Sequence, residues 1–232
     1  MSERIAAAPS SADIELATVE LLGALAYGQL RSFGLTAHAV GLAPDVRSAD
    51  ALATIAIAEH AAYERLRDHL AGRTELAFGA MERQKATFDA FFDRAEPVGW
   101  FEASVFFATG LPLAADFART VAEVVDASAA EVIVATLARR HEFERVALAT
   151  VASLLVDEVA RDRARHLAAD LLGRALTGFQ AASGSTDALE VLFRAHDPEG
   201  DGEARVRRLA MTVLGGHRRR VVELGLEDLD ED

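Results

Sequence analysis

Apolar residues along the chain recur at intervals of three and four and seldom at two, and runs of β-branched residues are short; this is the pattern of amphipathic helices. The first helix is predicted to start after Pro9, where Ser10 and Asp13 have capping-box spacing, and to run through Leu16, Val19, Leu22, Ala26, Leu30 and Phe33 towards Gly41. Leu42-Ala43-Pro44 stops it, and a second helix from about Ser48 to Leu70 ends at Gly72. Residues 73–97 read as a crossover containing a shorter helix, Met81 to Phe92, because two long antiparallel helices must be followed by a return of the chain. A third helix, Val98 to Asp126, holds Gly110 and Pro112 and should bend there. A fourth starts at Ser128, with Glu131 completing a capping box, and continues to about Val156; a fifth runs from Glu158 to Ala182. A short helix (Thr186 to Ala195), an acidic turn at residues 197–202 and a last helix (Ala204 to Gly225) follow. The fold class is therefore all-α. One domain is expected over 1–232, with a core bundle at about 11–156, C-terminal helices at about 158–226 and an acidic tail at 227–232.

Two of the predicted stripes are apolar except for one carboxylate. Leu52, Ile55, Glu59, Ala62, Leu66 and Leu70 share a face of the second helix, and Val98, Glu102, Val105, Phe106, Thr109 and Leu113 share a face of the third. In the first helix Leu22, Ala26, Gln29 and Phe33 place a neutral amide among apolar neighbours. The fourth helix phases best with Val134, Leu137, His141, Leu148, Ala152 and Leu155 inward; that turns His141 and Glu144 in and Arg139 and Glu142 out, and a slip of one residue would reverse the choice. A charge buried among apolar residues costs several kcal/mol unless it is paired or binds a metal. Glu59 and Glu102 are thus predicted to share a proton or to pair with Arg139, Gln29 or a buried water, unless they hold a metal ion. The strong form of the metal signal, Glu-x-x-His repeated on two helices, does not occur: no Glu in the chain has His three residues later.

Composition narrows the chemistry further. The chain has 37 acidic and 24 basic residues, a formal charge of −13, and no cysteine. Disulfides, thiolate zinc sites, iron–sulfur ligation and cysteine nucleophiles are excluded, so a metal would have to be held by carboxylate and imidazole. The acidic balance disfavours nucleic acid as a partner, and residues 1–60, with seven acids and three Arg, are wrong for a DNA-reading head. The N-terminus lacks a secretory pattern and the apolar runs are shorter than the roughly 20 residues of a membrane span. A cytoplasmic protein with no membrane partner is expected; a homodimer is allowed.

The segments Leu21-Leu22-Gly23-Ala24-Leu25-Ala26-Tyr27-Gly28-Gln29-Leu30, Glu59-His60-Ala61-Ala62-Tyr63-Glu64-Arg65-Leu66, Trp100-Phe101-Glu102, Ala114-Ala115-Asp116-Phe117 and His217-Arg218-Arg219-Arg220, continuing to Leu226, resemble the ferritin-like family of bacterial proteins similar to the methylthio-isopentenyl-adenosine tRNA hydroxylase. The resemblance implies a ferritin-like bundle and, in catalytic members, a non-haem diiron centre that activates dioxygen. It also implies that this chain departs from the ligand set. Gln29 stands where the first helix supplies Glu; Glu59 is kept, but Ala62 replaces the His that follows it; Glu102 matches the third-helix Glu; and His141 stands for the fourth-helix His, with Ala138 in the acid position. The expected function is a non-catalytic pocket or partner-binding protein, with a vestigial site at Gln29, Glu59, Ala62 and Glu102 and no cofactor. The alternative is an iron or manganese hydroxylase, acting on a modified tRNA nucleoside or a small apolar substrate, with Glu59, Glu102, His141 and Glu144 as ligands.

Three further features carry weaker expectations. Asp197-x-Glu199-x-Asp201-Gly202 imitates half of a calcium loop, but Arg208 at the twelfth position makes it a turn carrying acids. Phe88, Phe91, Phe92, Trp100, Phe101, Phe106, Phe107 and Phe117 are expected to pack the core or to line a pocket beside Glu102. The run His217 to Arg220 could meet phosphate; six acids and no base in residues 221–232 favour a charge-balanced helix end.

Overall fold

The computed structural model describes residues 8–185, 187–197 and 202–227. Among these residues all regular structure is helical: α1 (Ser11–Val40), α2 (Val46–Arg73), α3 (Ala77–Ala95), α4 (Trp100–Val105) continued by a π turn (Phe106–Gly110) into α5 (Leu111–Ala122), α6 (Ala127–Leu137), α7 (Arg140–Leu154), α8 (Glu158–Ser185), α9 (Ala188–His196) and α10 (Gly202–Glu223). The acidic turn after Asp197 and the tail after Glu227 lie outside the described residues.

The helix starts follow their caps. At α1 the Asp13 amide donates to Ser10 Oγ at 3.2 Å and the Ser10 amide donates back to Asp13 Oδ2 at 3.0 Å, the reciprocal box expected from the spacing. Asp45 caps α2 by accepting from the Ser48 amide at 2.8 Å. For α6 the cap is Asp126, which accepts from the amides of Ser128 and Ala129 at 3.0 and 3.1 Å; the expected box at Ser128 and Glu131 is replaced by an acid two residues earlier. At the far end Gly225, with φ of 62°, reverses the chain after α10 and lets the Leu226 amide reach the Val221 carbonyl at 3.0 Å, a left-handed closure that a side chain would strain.

Two elements differ from expectation, and a third shows how an expected bend is made. The crossover helix is longer than the predicted Met81–Phe92 and packs along α1, because the facing residues are small: a Cβ at Gly23 would lie 2.9 Å from the carbonyl carbon of Ala80. The third helix is interrupted at the anticipated place by a widened turn. Pro112 has no N–H to offer the Ala108 carbonyl, and the Leu111 amide reaches back five residues to Phe106. The fourth helix is broken between Leu137 and Arg140, where Arg139 sits at φ −101° and ψ 1°; no glycine or proline marks the break.

The span Trp100–Ala122 is as long and apolar as a membrane helix, contrary to the expectation of short apolar runs only, but 72% of its apolar window is buried against other helices of the bundle. Two apolar clusters form the interior. One gathers α1, α2, α3, α5, α6 and α9 around Leu22, Leu66, Leu70 and Ile133; the other surrounds the π turn and includes Phe106, Leu148, Val151 and Leu171.

Candidate functional site

The α2 stripe is buried as predicted, and Glu59 is 5% exposed within it. Its carboxylate is not bare. Oε2 accepts from the hydroxyls of Ser32 at 2.8 Å and Thr36 at 3.0 Å, both fully packed residues of α1. Oε1 lies 2.8 Å from Arg140 Nη1, off the line of a hydrogen bond, so charge rather than an aligned N–H holds that oxygen. Arg140 Nη2 donates to Gln29 Oε1 at 3.2 Å, and Gln29 Nε2 donates to the backbone carbonyl of Glu59 at 3.4 Å. Gln29, Ser32 and Thr36 are spaced three and four apart, which sets all three on the face of α1 that meets α2. The break before α7 makes Arg140 its first residue, with the side chain 14% exposed and directed into the bundle.

The other predicted residues do not join this cluster. Glu102 pairs with Arg163 of α8, so the predicted proton shared with Glu59 gives way to a separate arginine for each acid. His141 is exposed on the outer side of α7, together with Arg139 and Glu142, and Val134 and Ala152 are also exposed. The predicted phase therefore holds for Leu137, Glu144, Leu148 and Leu155 inward and for Arg139 and Glu142 outward, and is corrected at Val134, His141 and Ala152, where the break turns Arg140 inward in place of His141. Glu144 faces Arg220 of α10 at 3.2 Å. Ala62 is buried at 4% exposure and adds no donor.

A metal bound by Glu59, Glu102, His141 and Glu144 does not fit this arrangement. Among the described residues no group of three or more acids and histidines converges. The place beside Glu59 is filled by a guanidinium, whose fixed positive charge repels a cation and uses the carboxylate oxygen that a metal would need.

A cavity of about 200 Å³ runs along α1 from Glu20 to Ser32, roughly 18 Å of helix rise. Its walls are mainly apolar, with Leu21, Leu25, Phe88, Phe106, Leu113 and Phe117 among them; half-buried Gln84 and Thr87 contribute from α3, and Leu176 of α8 and Val213 of α10 close the far side. Gln29, Ser32 and Arg140 form its polar end. The π turn belongs to the wall through Phe106 and Gly110. Of the aromatic cluster, Phe88, Phe91, Phe92, Phe106 and Phe117 line the cavity, with Gln29 and Arg140 among the polar residues they accompany; Glu102 is not among the described residues that line it. Phe91 and Phe92 also meet edge to face at 5.2 Å, so core packing and pocket lining are served by the same rings.

A second buried polar set holds α10 in place. Arg220, 4% exposed, pairs with Asp116 of α5 at 2.9 Å and with Glu144 of α7; Asp116 also pairs with Arg119 at 2.6 Å. His217, 4% exposed, shares a hydrogen of its Nδ1 with the Thr109 carbonyl at 3.4 Å. The basic run thus splits: His217 and Arg220 turn inward, and Arg218 and Arg219 are exposed. Burial, and then the nearby Arg220 charge, lower the His217 pKa below the ordinary imidazole value of 6.5, outweighing the Thr109 carbonyl and Asp116. The unfolded chain binds this proton at a higher pH than the folded chain, so the stability contributed by neutral His217 is present above pH 6.5 and is lost as the pH falls through the folded value. Urea midpoints taken from pH 7.5 to 5.5 should fall more steeply for the parent protein than for His217→Gln; equal slopes would remove His217 as the cause.

A family model described as a ferritin-like domain of actinomycetes matches residues 12–195, from the first turn of α1 to the last turn of α9. No curated protein matches the chain.

Proposed function

We propose that the chain, which belongs to the actinomycete family of ferritin-like domains, is a metal-independent binding protein that takes a small, largely apolar molecule into the bundle. The observation that carries this reading is Arg140: its guanidinium lies against Glu59 and Gln29, at the polar end of the apolar cavity. In the hydroxylase-like proteins that the motifs resemble, the corresponding positions hold metal ligands. Here Gln29 and Ala62 put an amide and a methyl at two of them, and Arg140 lies against the retained Glu59, so the wall carries an ion pair and hydrogen-bonded groups in place of a cluster of anions. An apolar cavity on the order of 150 Å³ is enough to bind benzene, so about 200 Å³ accommodates one substituted aromatic ring or a short aliphatic chain.

Isothermal titration with 1,4-diethylbenzene tests the cavity, and elemental analysis of protein from iron- and manganese-supplemented cells tests the metal. Saturable binding at one site, with metal well below one equivalent and unchanged by Glu59→Ala, is the expected result. Stoichiometric metal that disappears in Glu59→Ala would return the site to the hydroxylase reading.

A further inference from the structure

We propose that the molecule held in this cavity is uncharged and ends in an oxygen acceptor, a ketone, ester, amide or alcohol, which seats on Arg140. The inference rests on the cavity being a binding site and adds the chemistry of its occupant.

It follows from counting charges and hydrogen-bonding groups at the cavity wall. Among the described residues two charged ones line it, Arg140 and Glu20, and each has an opposite charge beside it: Glu59 at 2.8 Å from Arg140, and Arg83 at 3.3 Å from Glu20. These two pairs leave no net charge for an ionic ligand to neutralise. A carboxylate placed on Arg140 would share that guanidinium with the buried Glu59 carboxylate, two like charges in a place shielded from water.

The hydrogen-bonding capacity at the same end points one way. The Gln29 oxygen accepts from Arg140 and one of its amide hydrogens goes to the Glu59 carbonyl. The Ser32 hydroxyl has given its hydrogen to Glu59. Arg140 presents a fork of N–H groups, of which one hydrogen bond, to Gln29, and one close contact, to Glu59, are accounted for. What remains is N–H of Arg140 and the second N–H of Gln29 as donors, with the Ser32 oxygen able to accept and, on the same wall, the oxygen of Thr136, whose hydrogen goes to the Ile133 carbonyl. A carbonyl oxygen satisfies such donors, and an alcohol can in addition give its hydrogen to Ser32. A pure hydrocarbon would leave them facing an apolar body, and a ligand bearing only donors would face donors.

The polar end also fixes a direction. From Ser32 the wall proceeds along α1 through Leu25 to Leu21, opposite Phe88 and Phe117, so the apolar body of the ligand extends from its oxygen towards the Glu20 end.

The test compares three molecules of similar shape, 4-ethylacetophenone, 1,4-diethylbenzene and 4-ethylbenzoate, by isothermal titration against the full chain. A hydrogen bond from a charged donor is worth about tenfold in affinity, so the ketone should bind about tenfold more tightly than the hydrocarbon and more tightly still than the carboxylate. In the paired variant Glu59→Leu with Arg140→Met, which removes both charges together, the advantage of the ketone over the hydrocarbon should shrink, because the charged donor is gone and only the neutral groups of Gln29 and Ser32 remain. Equal binding of ketone and hydrocarbon by the parent protein would overturn the proposal while leaving the cavity reading intact. Preference for 4-ethylbenzoate would overturn it in favour of an anion site. Binding of none of the three would instead remove the cavity reading itself.

Discussion

Glu59→Ala is expected to lower the unfolding free energy by about 3–5 kcal/mol, the scale of a buried ion pair that has lost one partner. The substitution strands the Arg140 guanidinium in the bundle and takes the acceptor from the Ser32 and Thr36 hydroxyls. Those hydroxyls can turn to helix carbonyls four residues back, but the guanidinium has only Gln29 left. Arg140→Met should be comparably harmful for the converse reason, an unpaired carboxylate at 5% exposure. The two losses should not add. Glu59→Leu combined with Arg140→Met exchanges the pair for apolar contacts, and the double variant is expected within about 1 kcal/mol of the parent, since replacing both members of a buried pair is often neutral or favourable. Urea denaturation of the four proteins gives the coupling directly. A double variant as weak as the sum of its parts would show that Glu59 and Arg140 act independently, and that Arg140 is not the counter-ion that keeps Glu59 in the core.

The second large effect is expected where α10 meets α5. Asp116→Ala removes one of the two acids that face buried Arg220, and should cost about 3 kcal/mol, the lower end of the same range because Glu144 remains at 3.2 Å. The neighbouring Gly216→Ala separates packing from charge. Within a helix, Gly to Ala ordinarily stabilises by about 1 kcal/mol. Here the new Cβ would lie 2.3 Å from Asp116 Oδ2 and 3.1 Å from its Cγ, so the carboxylate must move away from Arg220. The sign should reverse, with a net loss of about 2 kcal/mol from overpacking and the strained pair. A thermal midpoint that rises in Gly216→Ala would mean that the helix keeps its place without this close approach.

The contrast between Glu59 and Arg140 shows what was legible in the amino-acid pattern. Glu59 stood out because α2 keeps one phase from Leu52 to Leu70 and every other member of its stripe is apolar. The same reasoning found the Ser10–Asp13 cap, the interruption near Pro112 and Gln29. Arg140 was hidden because α6 and α7 are two helices with different phases, and periodicity carried across the break selected His141, which is exposed. A signal was present nevertheless: Gln29, Ser32 and Thr36 make a polar run on a face otherwise occupied by Leu22 and Ala26, and a buried acid opposite them needs a positive partner. Glu102 misled for a different reason. Its stripe is buried from Val105 onwards, but Val98 is exposed ahead of the helix and Glu102 sits in the first turn, where Arg163 of α8 pairs with it. The buried faces of His217 and Arg220 could not be read from a dense basic run, since spacing alone does not say which two of four residues turn inward.

The pairings of α10 also bear on how the chain acquires its structure during synthesis. Arg220 is made 104 residues after the Asp116 it neutralises, 76 after Glu144, and His217 is made 108 residues after Thr109. Until α10 emerges, α5 presents a carboxylate meant for burial, and the cavity lacks the wall supplied by Ala210 and Val213. Contacts of such long range form late, because the loop entropy of closing them must be met before they stabilise anything. The helices matched by the family model can therefore collapse early on their local contacts, whereas the Asp116 face of α5 and the far side of the cavity become native only after α10 has left the ribosome.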